Sequence, residues 1–423
     1  MGKVRPMSGS MSRREFLAST GAAGLLMSAP QAFAHSSVDD KIKVGVIGCG
    51  GRGTGAAIDA ATADPNVIVW AMGDVFADKM KGSEGWMKDQ LKDRYQVTPE
   101  RQFLGFDSYK QVLASGVDYV VLATPPCFRP QHFMAAVQAG KHVFFEKPVA
   151  VDVWGIKMVM AAADLAKSKG LGVAAGTQRR HDLGYRETIQ KIHDGSIGDI
   201  VSMCAYWNQG GLWMNPRQEA WSDLEWQLRN WLYFTWISGD HIVEQHVHNM
   251  DVCNWAMKDH PAKAIALGGR QVRTDPAYGH VFDHFAVEFE YSNGVKMHSY
   301  CRQQDGTASR VAEMIFGSKG RSNGSGNIWG AEEWRYAGER PNPYMQEHKH
   351  LIQSIKAGKP INEGRQVAES TMTAIMGRMA AYSGQEVKWD DLMKLDTRTF
   401  PDKLVFEGKI PVDEVAMPGK TKL

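Results

Sequence analysis

The chain has 423 residues, more than one typical domain of roughly 100 to 200, and its 43% hydrophobic and 23% charged residues describe a two-domain globular protein rather than a disordered, collagenous or multi-span membrane chain. Lys plus Arg is 49 and Asp plus Glu is 47, for a formal charge of +2, so no overall basic excess points to nucleic acid or an anionic membrane. Five cysteines without a CxxC pair argue against a disulfide scaffold.

Met11 to Ala34 reads MSRREFLASTGAAGLLMSAPQAFA: a basic start, a modest apolar stretch, and Ala32 and Ala34 flanking Phe33, the pattern of a cleavable export signal. Arg13-Arg14 ahead of Phe16-Leu17 resembles the twin-arginine motif, so residues 1–34 are expected to be a signal peptide that delivers the chain to the periplasm or otherwise exports it through the twin-arginine route, with an amphipathic or buried N-terminal helix as the alternative.

Lys43 to Ile47 forms a short apolar strand that runs into Gly48, Cys49, Gly50, Gly51, Arg52 and Gly53 and then a helix-compatible run. This is G-x-G-x-x-G between a strand and a helix, the setting that gives the motif meaning. Gly48 permits the tight turn, Gly50 lets backbone approach a pyrophosphate, and Gly53 lets the helix pack closely on the strand. With Gly51 and Arg52 they open a helix whose first amides are free for phosphate oxygens. Val67 to Asp74 is a second apolar strand ending in an acid suited to a ribose 2'-hydroxyl and repulsive to a 2'-phosphate, which favours NAD over NADP. The plain alternative is a glycine-rich turn with a surface acid.

Further strands at Tyr119–Ala123, Val143–Phe145 and Leu171–Ala175 alternate with helical stretches, so residues 41–176 are expected to form an α/β Rossmann domain, a doubly wound parallel sheet. Thr124, Pro125, Glu146, Lys147 and Gln178 fall at strand C-termini, where such sheets bind ligands.

From residue 177 to 390 the pattern changes to α+β. Strands at Ile200–Tyr206, Ala264–Val272, Phe285–Tyr291 and Val295–Tyr300, the last two joined by Asn293-Gly294, predict an open, largely antiparallel sheet with one packed face. Helices are expected at Tyr185–His193, Glu347–Ala357 and Gln366–Ala381, and residues 391–423 read as an extended strap. Trp207, Trp213, Trp221, Trp226, Trp231 and Trp236 crowd a stretch expected to be a long, structured loop. Aromatic faces beside amide and Arg donors suit a sugar ring, with ordinary core packing as the alternative. Arg179, Arg180 and His181, after the last strand of the first domain, are candidates for contact with substrate or the cofactor side of the cleft, or simply solvated charge.

Residues 240 to 251 hold the densest chemistry. On a regular helix His241, Glu244 and His248 share one face, so that Glu244 would orient His248 as a general base while Lys147 steadies a developing oxyanion. His241 and Asp251 join Arg179, His181, Trp207 and Trp213 as candidate substrate contacts. His241, Glu244, His246 and His248 are also metal-ligand types, but their spacing matches no zinc signature and no metal is assigned. A structural histidine network is the remaining alternative.

These motifs, GxGxxG at Gly48–Gly53, Asp74, Thr124-Pro125, Glu146-Lys147-Pro148 and His248-Asn249-Met250-Asp251, resemble the Gfo/Idh/MocA family of dehydrogenases from Lys41 to about Asp391. The resemblance implies that Lys147 is the lysine of the catalytic centre, that His248 is the catalytic histidine, and that the chain forms a homodimer or homotetramer through its second sheet. The family often has Asp four residues before that histidine and Gly two before it, where this chain has Glu244 and His246. Export adds a condition. Free NAD is not a dependable periplasmic substrate, so the expected enzyme holds its NAD tightly and regenerates it in every cycle. A sugar oxidoreductase acting on a carbohydrate hydroxyl meets that condition. So does an NAD-dependent glycoside hydrolase, in which transient oxidation of a ring hydroxyl acidifies a neighbouring C–H, permits elimination, and is reversed after water addition. A noncatalytic periplasmic sugar-binding protein is the third alternative.

Overall fold

A computed structural model describes residues 41–401, 404–407 and 409–422, so the export signal expected at 1–34 lies outside the described residues.

The first domain alternates strand and helix: β1 (Ile42–Ile47), α1 (Gly51–Ala63), β2 (Val67–Asp74), α2 (Ala77–Leu91), β3 (Gln102–Leu104), α3 (Ser108–Ala114), β4 (Tyr119–Leu122), α4 (Arg129–Gln138), β5 (His142–Phe145), α5 (Val153–Ser168), β6 (Val173–Ala175) and α6 (Leu183–His193). The six strands pair in parallel in the order β3-β2-β1-β4-β5-β6. Every residue of β4 and β5 is buried, because helices cover both faces of a sheet of this kind. The order reverses between β1 and β4, and a crevice opens there at the strands' C-terminal ends.

The second domain is a nine-stranded sheet. It is built from β7 (Ile200–Gln209), β8 (Pro261–Gly269), β9 (His284–Tyr291), β10 (Lys296–Gln303), β11 (Arg310–Gly317), β12 (Gly320–Ser322), β13 (Asn327–Gly330), β14 (Trp334–Arg335) and β15 (Val387–Lys388). Their order is β14-β13-β12-β11-β7-β10-β9-β8-β15, antiparallel throughout except where β10 runs parallel to β7. In β9 buried and half-buried residues alternate, with Phe285, Val287, Phe289 and Tyr291 inward. The Asn293-Gly294 turn works as expected, since Gly294 at φ 84° takes the left-handed backbone and donates to the Tyr291 carbonyl.

Between β7 and β8 the chain is more helical than its tryptophan spacing predicts. Only residues 210–222 are open loop, followed by α7 (Asp223–Arg229), α8 (Thr235–Ser238), α9 (His241–Glu244) and α10 (Val247–Met257). Two long helices then join the halves. On α11 (Pro343–Lys356), Leu351, Ile352 and Ile355 complete the apolar core over β1 and β2, while α12 (Gly364–Ser383) packs between α5 and β8. The last helix, α13 (Trp389–Leu392), leads into the C-terminal segment, which is pinned where Thr399 donates through its amide (2.7 Å) and hydroxyl (2.9 Å) to Asp152.

Candidate active site

The crevice widens into a cavity of about 780 Å³ that runs from the glycine loop to β7 and the start of α10. At its first end the backbone makes the site. Gly48, at φ 95°, lies so close to β4 that an added Cβ would sit 2.5 Å from the Thr124 nitrogen, and at Gly53 it would sit 1.9 Å from the Gly48 carbonyl oxygen. Those two glycines therefore serve packing. Gly50 and Gly51 line the cavity with nothing within 4 Å of an added Cβ, leaving a cradle that any side chain would fill, beside the amides of α1 that have no intrahelical acceptor. Asp74 accepts from the Cys49 amide at 2.6 Å and the Phe76 amide at 2.9 Å, which fixes its carboxylate at the cavity wall. Burial pushes its pKa up, against those two amides. This donor and acceptor set fits the pyrophosphate and ribose of NAD.

Arg52 is expected at the cofactor, yet its guanidinium turns to protein carboxylates: it bonds Glu146, lies 3.6 Å from Asp59 and 3.8 Å from Glu347, and stacks 4.7 Å from the Tyr344 ring. Its backbone, not its side chain, is what the phosphate cradle uses.

At the other end Lys147 Nζ donates to the Glu244 carbonyl at 2.5 Å and to its carboxylate at 3.1 Å. His248 lies beside them, its ring stacked on Trp207 at 5.8 Å between centroids. Among the described residues no side chain or carbonyl takes a hydrogen bond from the His248 ring. Burial, with the Lys147 and Arg179 cations, pushes its pKa well below the ordinary histidine value. The imidazole is therefore neutral near pH 7, the form that accepts a proton.

The single helical face expected for His241, Glu244 and His248 does not exist. The chain breaks at Gln245 and His246 between α9 and α10, and the side chains diverge. His241 Nδ1 pairs with Asp240 at 2.9 Å, His246 Nε2 with Ser299 Oγ at 2.8 Å, and Glu244 with Lys147. Glu244 thus positions the lysine, not His248. Among the described residues no group of three or more His, Cys, Asp or Glu side chains is placed to hold a metal ion.

Of the residues expected at substrate, Trp207 and Trp213 line the cavity; the others lie elsewhere. Arg179 is held by Glu313, and His181 is buried between His350 (2.9 Å) and Glu363 (3.2 Å). Asp251 grips Arg180 through both oxygens, at 2.8 and 2.9 Å, and His241 packs edge-on against Phe285. Each of these polar groups is thus taken up by a charged protein partner, Glu313 for Arg179, Glu363 for His181, Arg180 for Asp251 and Asp240 for His241. Trp221, Trp226 and Trp236 belong to an apolar cluster with Phe234 and Ile237. The cofactor candidates Thr124, Pro125, Glu146 and Gln178 do reach the cavity. So do Trp231 and Asn215 of the tryptophan-rich stretch, and Gln245 and Phe106, which the sequence does not single out because each is an ordinary residue until the chain folds around it.

Residues 42–177 match the family described as "Oxidoreductase family, NAD-binding Rossmann fold", and residues 185–322 match the "GFO/IDH/MocA C-terminal domain". The chain is similar to inositol 2-dehydrogenase 3 of Saccharopolyspora erythraea, 28% identical over 185 residues, which are 44% of this chain and 47% of that protein. It is also similar to a glycosyl hydrolase family 109 protein of Streptomyces coelicolor, 28% identical over 183 residues, 43% of this chain and 36% of that one. The matched stretch thus spans about half, or less, of these relatives. The solved aldose-aldose oxidoreductase of Caulobacter crescentus superposes with a TM-score of 0.65 at 18% identity, covering 82% of this chain and 99% of that one, and shares the fold. With an NAD-binding Rossmann domain and a matching second domain, the chain belongs to the Gfo/Idh/MocA oxidoreductase family.

Proposed function

We propose that the protein is an exported, NAD-dependent oxidoreductase that acts on a carbohydrate hydroxyl and retains its NAD between turnovers. The observation that carries this reading is the meeting in one cavity of His248, whose ring makes no hydrogen bond among the described residues and whose pKa burial pushes down, with Lys147, whose Nζ is anchored by Glu244. Bound NAD supplies the two-electron acceptor for a carbinol carbon. The chain supplies the rest. His248 takes the hydroxyl proton, and Lys147 stabilises the negative charge that develops on that oxygen. The Trp207 and Trp213 faces exclude water and stack on the C–H face of a sugar ring.

Retention is supported by the second layer of the nucleotide end. Phe76, Phe106 and Phe128 line the cavity, and the C-terminal segment backs them: Phe406 packs on Phe76 and Phe106 at 5.9 and 5.2 Å, and Phe400 on Phe128 at 5.3 Å. Arg229 on α7 bridges to Asp78 on α2 with two bonds of 3.0 Å across the same opening. The similarity to an inositol dehydrogenase and to an aldose-aldose oxidoreductase fits a polyol or sugar substrate and a closed redox cycle.

Glycoside cleavage with no net redox change is the second reading, favoured by the Streptomyces coelicolor relative. It needs the same His248 and Lys147 to move protons at neighbouring ring carbons. The test is to purify the exported protein without added nucleotide, quantify NAD released on denaturation, and then screen inositols, aldoses and aryl glycosides for reduction of bound NAD and for glycoside release. NAD near one per chain with sugar-driven reduction supports the first reading, and glycoside release moves the assignment to the second. A chain that binds no NAD overturns both.

A further inference from the structure

Gln245 sits at the break between α9 and α10 and lines the cavity next to Lys147, Glu244 and His248. Its side-chain oxygen is the meeting point of two hydrogen-bonded chains. From one side the Trp207 indole donates to Gln209 Oε1 at 2.8 Å, and Gln209 Nε2 donates to Gln245 Oε1 at 3.2 Å. From the other the Arg273 guanidinium donates to Gln303 Oε1, and Gln303 Nε2 donates to the same Gln245 oxygen.

The polarity of both chains is forced by their ends. An indole N–H and a guanidinium can only donate, so Gln209 and Gln303 must each turn the oxygen outward and the amide nitrogen toward Gln245. Rotating the Gln245 amide by half a turn would set its N–H groups against two other N–H donors. Arg273 and Gln303 are buried, at 4% exposure each, where an unmatched donor is costly. Gln245 is therefore locked with its oxygen inward and its amide nitrogen left over. Among the described residues no protein acceptor takes that nitrogen.

We infer that Gln245 is the substrate-orienting donor of this cavity: its Nε2 hydrogen-bonds an uncharged oxygen acceptor, a hydroxyl or ring oxygen beside the reacting carbon, and selects against a ligand that places an ammonium there. The inference rests on the sugar-oxidoreductase reading for its substrate class but not for its geometry. Gln245 binds and orients, whereas Lys147 and His248 act on the reacting hydroxyl.

The test uses the full chain loaded with NAD. Binding of D-glucose, myo-inositol, the 2-, 3-, 4- and 6-deoxyglucoses and glucosamine is measured by calorimetry, and reduction of bound NAD is followed in parallel, for wild type, Gln245→Leu, Gln245→Glu and Gln303→Leu. Gln245→Leu is expected to weaken the parent sugar by about tenfold, appearing in KM with kcat little changed. One deoxy position that costs wild type about tenfold should cost this variant nothing. Gln245→Glu preserves size and the two inward bonds but turns an acceptor to the cavity, so it should gain for glucosamine relative to glucose. Gln303→Leu, which frees one arm of the clamp, should fall between. An identical deoxy and amino profile in wild type and all variants overturns the inference, as does a loss that is uniform across the series, which marks a packing role. Sugar binding with a Gln245-dependent profile and no reduction of NAD sustains this inference while overturning the oxidoreductase reading. Reduction with a Gln245-independent profile does the reverse.

Discussion

Lys147 Nζ makes two contacts with one residue, the carbonyl of Glu244 at 2.5 Å and its carboxylate at 3.1 Å, and this double anchor sets the position of the lysine that lines the cavity beside His248. Lys147→Ala should slow single-turnover reduction of bound NAD by about 100- to 1,000-fold, the usual cost of removing a preorganised cation from a developing oxyanion. Glu244→Gln keeps the carbonyl contact and a side chain of the same size, so its loss should stay near tenfold. Rapid-mixing absorbance of reduced nicotinamide measures both, and equal losses would mean that the carboxylate, not the lysine, carries the chemistry.

The pH profile follows from His248. The base must be neutral, and burial with the Lys147 and Arg179 cations pushes its pKa well below 6.5, so the active form persists as pH falls past the point where an ordinary histidine would gain a proton. The chemical rate should be flat from pH 8 through 6.5 and decline only on the more acidic side. An inflection at or above 6.5 would show that the titrating base is not this buried imidazole.

His246 gives a stability test separate from activity. It is buried and bonded to Ser299, and burial lowers its pKa to about 3. The unfolded chain therefore binds the extra proton first. The contribution of neutral His246 to stability is complete above about pH 6.5 and is lost as pH falls from there toward 3, at about 1.4 kcal/mol per pH unit. His246→Gln cannot take up that proton and should destabilise the protein at pH 7.5. Its deficit against wild type should then shrink between pH 6.5 and 4, as read from paired denaturant melts.

The glycine loop separates packing from binding. Gly53→Ala places a methyl 1.9 Å from the Gly48 carbonyl oxygen, backbone that has no room to yield, so it should lower Tm and abolish NAD binding together. At Gly50 an added Cβ meets no protein atom within 4 Å, so Gly50→Ala should melt like wild type without NAD while losing at least tenfold in NAD affinity, because its methyl occupies the cradle. A Gly50 variant that binds NAD normally would move the pyrophosphate away from this loop.

Much of this was legible in residues 41–176, where local rules suffice: a buried strand, glycines that admit no side chain, a helix, and an acid at the next strand's end are all set by neighbours in sequence. Residues 240–251 were legible by composition and misleading by geometry. The single helix assumed there is two short pieces: α9 starts only after Asp240, whose φ of 72° is held by tertiary bonds from the Phe282 amide (2.8 Å) and the Tyr382 hydroxyl (2.6 Å), and the chain breaks again at Gln245 and His246 before α10, features that periodicity cannot reveal. Arg179, His181 and Asp251 read as ligand contacts for the same reason. Their types suit a sugar, but Glu313, Glu363 and Arg180 reach them first. The placement of α11 on the first domain likewise depends on a contact between distant parts of the chain, Leu351 and Ile355 against the core of β1 and β2.

Retention of NAD is testable at the C-terminal segment. Phe406 makes two ring contacts, with Phe76 and Phe106, and both of those rings line the nucleotide end of the cavity. Aromatic pairs of this kind contribute about 0.5–1.5 kcal/mol each beyond the area they bury. Phe406→Ser removes both and leaves the catalytic end untouched, so it should speed release of NAD by about tenfold or more with little change in single-turnover reduction. Arg229→Ala, which breaks the two 3.0 Å bonds to Asp78, should act in the same direction but more weakly, since Asp78 is exposed and the pair is screened by solvent. Dissociation of NAD followed by fluorescence after dilution measures both. If neither variant changes the release rate, the C-terminal segment stabilises the fold without holding the cofactor, and retention must come from the glycine loop and Asp74 alone.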